Sequence, residues 1–67
     1  MINVTINGDR HSLDAALPLL NLLEKFEIEH DKVAIEHNLE IVPKTTFGGV
    51  TVTDGDTLEI VHFIGGG

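Results

Sequence analysis

Only one stretch of this 67-residue chain has a helical period; its other apolar segments alternate or run short. In "LPLLNLLEKFEI", Leu19, Leu22, Leu23 and Phe26 recur every three to four residues, and Leu20 widens the stripe. Pro18 suits a first helical turn, where a missing N–H costs nothing. The spacing predicts one helix of about 10 residues, near Pro18 to Glu27. One apolar stripe has to be buried against another layer, and the rest of the chain offers strands for that layer.

"INVTI" alternates, with Ile2, Val4 and Ile6 on one face and Asn3 and Thr5 on the other, the pattern of a half-buried strand. Asn7-Gly8 then signals a hairpin, because both turn positions of type I′ need positive φ, and "RHSL" is the returning strand. "KVAIEHN" reads as a third strand and "EIVP" as a short fourth, with Pro43 at its end or on an edge. "KTTFGG" is a loop, "VTV" a strand-like piece, "DGD" a turn and "TLEIVHFI" the last strand. This order implies an α+β roll: a mixed four- to five-stranded sheet with one main helix packed on one face. The first and last strands are expected side by side and parallel in its middle. Residues 1–64 form the domain, and residues 65–67 a flexible glycine tail.

Several functions are argued against on chemical grounds. A chain this short buries only about 60% of its unfolded surface, which leaves no deep enzyme cleft. It has no cysteine, hence no thiolate zinc site and no cysteine nucleophile. His11, His30, His37 and His62 are scattered without HxxxH or HExxH spacing, so no metal site is expected. Asp54 and Asp56 in "DGD" are explained by turn chemistry, and Gly48-Gly49 lacks the context of a phosphate loop. Ser12 is the one serine, and it has no elbow around it. The chain is therefore not expected to be an enzyme. A net charge of −7 argues against nucleic acid as a partner. No apolar run is long enough to span a membrane, and "MINVTING" lacks the basic start of a signal peptide, so a cytoplasmic location is expected.

The end of the chain is the distinctive part. If Leu58 and Ile60 face inward, Glu59, Val61 and Phe63 face out, and Val61, Phe63 and Ile64 make an apolar docking strip. Gly65, Gly66 and Gly67 follow. Three extended glycines reach at most about 10 Å and carry no Cβ, so they can thread a narrow channel and deliver a carboxylate.

With "NG" after the first strand, "LLNLLEKF", "VAIEHN…EIVPK" and above all "DGDTLEIVHFIGGG", the chain resembles the ThiS family, the sulfur carriers of thiamine biosynthesis, over essentially its full length. It departs from many members at "HNLE", where Leu39 stands in place of a glycine, and in its third terminal glycine, which some share. The resemblance implies a ubiquitin-like β-grasp fold. It further implies that an E1-like adenylyltransferase (ThiF-type) uses ATP and Mg²⁺ to adenylate Gly67. Sulfur originating from a cysteine desulfurase would then give a Gly67 thiocarboxylate, and thiazole synthase (ThiG-type) would take up that sulfur. The chain itself would bind no cofactor. Gly65 and Gly66 would be the thread, and Val61, Phe63 and Ile64 the docking residues. Other β-grasp functions stay open: the small subunit of molybdopterin synthase, a ubiquitin-like protein modifier, or a plain binding module.

Overall fold

The computed structural model describes residues 1–63, so Ile64, Gly65, Gly66 and Gly67 lie outside the described residues, and with them the expected step from domain to tail. In chain order the elements are β1 (Ile2–Ile6), β2 (Asp9–Leu13), β3 (Leu17–Pro18), α1 (Leu19–Lys25), β4 (Val33–His37), β5 (Glu40–Ile41), β6 (Thr51–Val52) and β7 (Thr57–His62). Short 3-10 helices occupy His30–Lys32 and Lys44–Gly49. The main sheet has five strands in the order β2-β1-β7-β4-β5, and β3 and β6 pair separately. β1 and β7 are parallel, with Thr5 opposite Thr57 and Ile6 opposite Leu58. This is the mixed β-grasp sheet expected, with the first and last strands adjacent.

The hairpin forms where Asn7-Gly8 requires it: φ is 51° at Asn7 and 86° at Gly8, and Ile6 faces Asp9. α1 is shorter than expected, at 7 residues instead of the stretch from Pro18 to Glu27. Pro18 is not helical. It is extended, at φ −61° and ψ 145°, and pairs with Thr51. The first helical amide, Leu19 N–H, donates 2.9 Å to the Val50 carbonyl, so a strand end does the work of a cap. At the other end Glu27 takes φ 58°, and its N–H donates 3.0 Å to the Glu24 carbonyl. Ile28 N–H reaches the Leu23 carbonyl at 2.8 Å, which completes a Schellman stop.

Leu19, Leu22 and Leu23 are fully buried, against Val4, Ile35 and Leu58 among others. Phe26 packs on the rim of this core, its ring edge-on to His11 at 5.3 Å. Leu20 does not widen the buried stripe; it is exposed. "KTTFGG", expected as a loop, is a 3-10 helix that inserts Phe47 into the core. Among the described residues no helix is long and apolar enough to cross a membrane.

The turn between β4 and β5 holds both Asn38 (φ 52°) and Leu39 (φ 73°) in the left-handed region, so the hairpin keeps two positive-φ positions although the second is a leucine. Leu39 gains no burial there, at 85% exposure. A left-handed leucine costs roughly 1–2 kcal/mol, against roughly 0.5–1 kcal/mol for the extra freedom of an unfolded glycine. Leu39→Gly should therefore stabilise the protein by about 0.5–1 kcal/mol, as the difference of those terms. A higher urea midpoint at unchanged slope checks this.

Candidate functional site

β7 is the central strand, and its two faces have separate tasks. Leu58 and Ile60 point into the core, while Glu59, Val61 and, just past the strand, Phe63 are exposed. The alternation expected from the sequence thus holds, with Val61 61% and Phe63 54% exposed. Pairing with β4 sets Ala34 opposite Val61 and Glu36 opposite Glu59, and β5 sets Ile41 opposite Glu36. The apolar strip is therefore wider than the sequence suggested, since Ala34 and the 78% exposed Ile41 share its face. Nothing in "EIVP" says which strand it will join, so Ile41 is placed only by pairing.

The end of β7 is anchored on both sides. Phe63 N–H donates 3.0 Å to the Lys32 carbonyl. Lys44 Nζ donates 2.8 Å to the Asp31 carbonyl and lies 4.7 Å from the centroid of the Phe63 ring, a cation–π contact. On the opposite edge, β1 has already ended, and the Asn7 side chain continues the ladder in its place. Asn7 Oδ1 accepts the Ile60 N–H at 2.7 Å, and Nδ2 donates 3.0 Å to the Ile60 carbonyl. Two orphan backbone groups of the central strand are thereby satisfied. The strand is fixed up to Phe63; the remaining predicted site residues Ile64, Gly65, Gly66 and Gly67 lie outside the described residues.

A polar cluster sits at the start of β7, roughly 20 Å from Phe63 at ~3.3 Å per residue. "DGD" is a turn, with φ 85° at Gly55, but Asp56 does more than cap it. Only 9% exposed, its carboxylate accepts the Thr53 N–H at 2.8 Å and Asn38 Nδ2 at 3.1 Å, and His37 Nε2 lies 2.8 Å from Oδ2. His37 is thus a half-buried partner of Asp56, nineteen residues away along the chain. Asp54 Oδ1 takes the Asn3 N–H at 2.7 Å, tying the turn to β1. Burial alone would raise the Asp56 carboxyl. The hydrogen bonds from His37, the Thr53 amide and Asn38, with the charge of a protonated His37, outweigh burial and hold the group below its ordinary value. The cluster braces three strand ends and includes no serine or cysteine nucleophile.

Among the described residues no three His, Asp or Glu side chains converge as a metal site. The larger surface hollow, about 570 Å³, lies beyond the end of α1 and is lined by Glu24, Glu27, Glu29 and Asp31. Among the described residues, none of β7 lines it.

A sequence model of the ThiS family matches residues 4–67. Over 66 residues the chain is 47% identical to a thiazole synthase of Paramagnetospirillum magneticum, covering 98% of this chain and 20% of that protein. It thus spans about a fifth of the length of that relative, and likewise of a 38% identical thiazole synthase of Magnetococcus marinus. The sulfur carrier protein ThiS of Bacillus subtilis is 43% identical over 47 residues, which cover 70% of this chain and 71% of that one. Among solved structures, a thiamine biosynthesis protein (ThiS) from Geobacter metallireducens superposes with a TM-score of 0.85 at 33% identity, covering 98% of this chain and 100% of that one.

The lowered Asp56 carboxyl makes acid stability testable. The unfolded chain takes up this proton near the ordinary aspartate value of about 3.9, the folded chain at lower pH. The stabilisation is complete above the unfolded value and is lost as pH falls through the folded one. Asp56→Asn should cost about 1–3 kcal/mol at neutral pH, because it leaves buried donors poorly matched. The gap to the native chain should close on acidification through the carboxylate range. Urea midpoints at a series of pH values check this, and a gap that widens toward low pH would locate the stabilisation elsewhere.

Proposed function

The chain belongs to the ThiS family, and from that membership we propose that it carries sulfur in thiamine biosynthesis on the carboxylate of Gly67. A carboxylate is a poor electrophile. In the proposed cycle a ThiF-type adenylyltransferase uses ATP and Mg²⁺ to convert Gly67 to an acyl-adenylate, releasing pyrophosphate. Sulfur originating from a cysteine desulfurase, brought from the persulfide to the sulfide level by a thiol reductant, displaces AMP and leaves the thiocarboxylate. A ThiG-type thiazole synthase then takes the sulfur into the thiazole ring. The chain is a substrate of these enzymes in the cytoplasm, and it brings no cofactor of its own.

One observation carries this function best: an exposed Val61–Phe63 strip stands on a strand pinned from both sides, one residue ahead of the glycines in the sequence. Pinning lowers the entropy lost when a partner closes around the strand. Val61, Phe63 and Ile64 dock, while Gly65 and Gly66 enter the channel, since glycine leaves it free of side chains. The two thiazole synthase relatives, each with a region similar to this chain, support a ThiG-type partner.

Val61→Asp and Phe63→Asp should leave the urea midpoint almost unchanged and weaken binding to the activating enzyme, because both side chains are exposed. Unfolding instead of lost binding would show that they serve the core. One alanine added after Gly67 moves the carboxylate by about 3.5 Å and adds a Cβ, while reacting groups must lie within about 3–3.5 Å of each other. ATP–pyrophosphate exchange should be abolished, with stability unchanged. Intact mass of the protein from its native host should show one oxygen replaced by sulfur. Equal exchange by the extended chain would refute Gly67 as the chemical site.

A further inference from the structure

The outward face of the sheet carries a charge arrangement that the lone domain leaves uncompensated. Glu36 on β4 and Glu59 on β7 are direct cross-strand neighbours, and both are exposed. Like charges in that position oppose each other. The ion pairs among the described residues are Lys32–Glu29 and His37–Asp56, so neither glutamate has a cation. Lys44 is engaged at Asp31 and Phe63, and Arg10 lies on the far edge strand β2, opposite Thr5.

The two carboxylates also sit among apolar neighbours. Ile41 flanks Glu36, and the Ala34–Val61 pair forms the next row, around a shallow hollow of about 130 Å³. A purely apolar cover over this face would strip water from two carboxylates and return nothing to them. A second copy of the chain would bring the same negative face. Whatever covers the strip has to bring a cation within its apolar surface, and two adjacent carboxylates suit the planar fork of an arginine better than the point charge of a lysine.

Resting on the sulfur-carrier function proposed above, we infer that Glu36 and Glu59 form a notch that receives an arginine of thiazole synthase. That partner is chosen because two relatives named thiazole synthase contain a region similar to 98% of this chain, so in them the domain and the remainder form one polypeptide. The notch determines specificity; the apolar strip around it supplies contact area.

The test is calorimetric titration of the full chain with purified thiazole synthase from the same host. The native chain is compared with a Glu36→Gln/Glu59→Gln double variant and with Glu24→Gln/Glu27→Gln, which makes the same charge change near the end of α1. The notch variant should bind roughly tenfold more weakly or worse, the range for hydrogen bonds to charged groups. Its urea midpoint should stay level or rise, since like charges have been removed. The control variant should bind as the native chain does. Equal binding by the notch variant overturns the inference while the carrier function stands. So does an equal loss in the control, which would mean long-range charge alone, and so does a midpoint that falls in step with affinity. If the native chain does not bind thiazole synthase, that partner falls and the inference with it.

Discussion

The first and last strands lie side by side and parallel, and the rest of the molecule is arranged around that pairing. Two parallel neighbours cannot be joined by a tight turn; the chain has to cross over, and here everything between Gly8 and Gly55 makes the crossing. Closing so long a loop is entropically costly, and the strands' own ladder covers few residues. Side chains and a turn amide extend it. At one end Asp54 holds the Asn3 amide, and Gly55 N–H reaches the Asn3 carbonyl at 2.8 Å. At the other, Asn7 stands in for a strand residue beside Ile60.

Central placement gives β7 two unequal faces. A single helix of 7 residues can cover only one side of a five-stranded sheet. Leu58 and Ile60 take that side and link α1 to the sheet, so their phase is set by burial. Glu59, Val61 and Phe63 then face outward whatever their chemistry, because side chains alternate along a strand. The division leaves an exposed apolar strip on the central strand of the sheet without weakening the core beneath it.

Carboxylates show how strongly placement changes the role of one functional group. Asp56 is buried, but hydrogen-bond donors from three residues surround it, and it welds the ends of β4 and β7 to the preceding turn. Glu36 and Glu59 are open to water and have no cation, so they contribute nothing comparable to the isolated domain. The first arrangement serves folding; the second leaves two neighbouring charges unbalanced on the outer face of the sheet.

By itself the sequence determined whatever depends on neighbours along the chain. Leucine spacing marked the helix and its buried positions, Asn7-Gly8 the hairpin, and alternation the phase of the last strand, because period and φ preference are local properties. The resemblance of its motifs reached the family for the same reason: they lie in short contiguous runs. Tertiary structure decided the rest. Pro18 left the helix because Thr51 offered it a strand partner and Val50 took the next amide. His37 found Asp56 nineteen residues away, and Ile41 and Glu36 joined the face of β7 only when β4 paired with it. Pairing, desolvation and charge opposition act through space, and no local pattern encodes which distant residue will stand opposite.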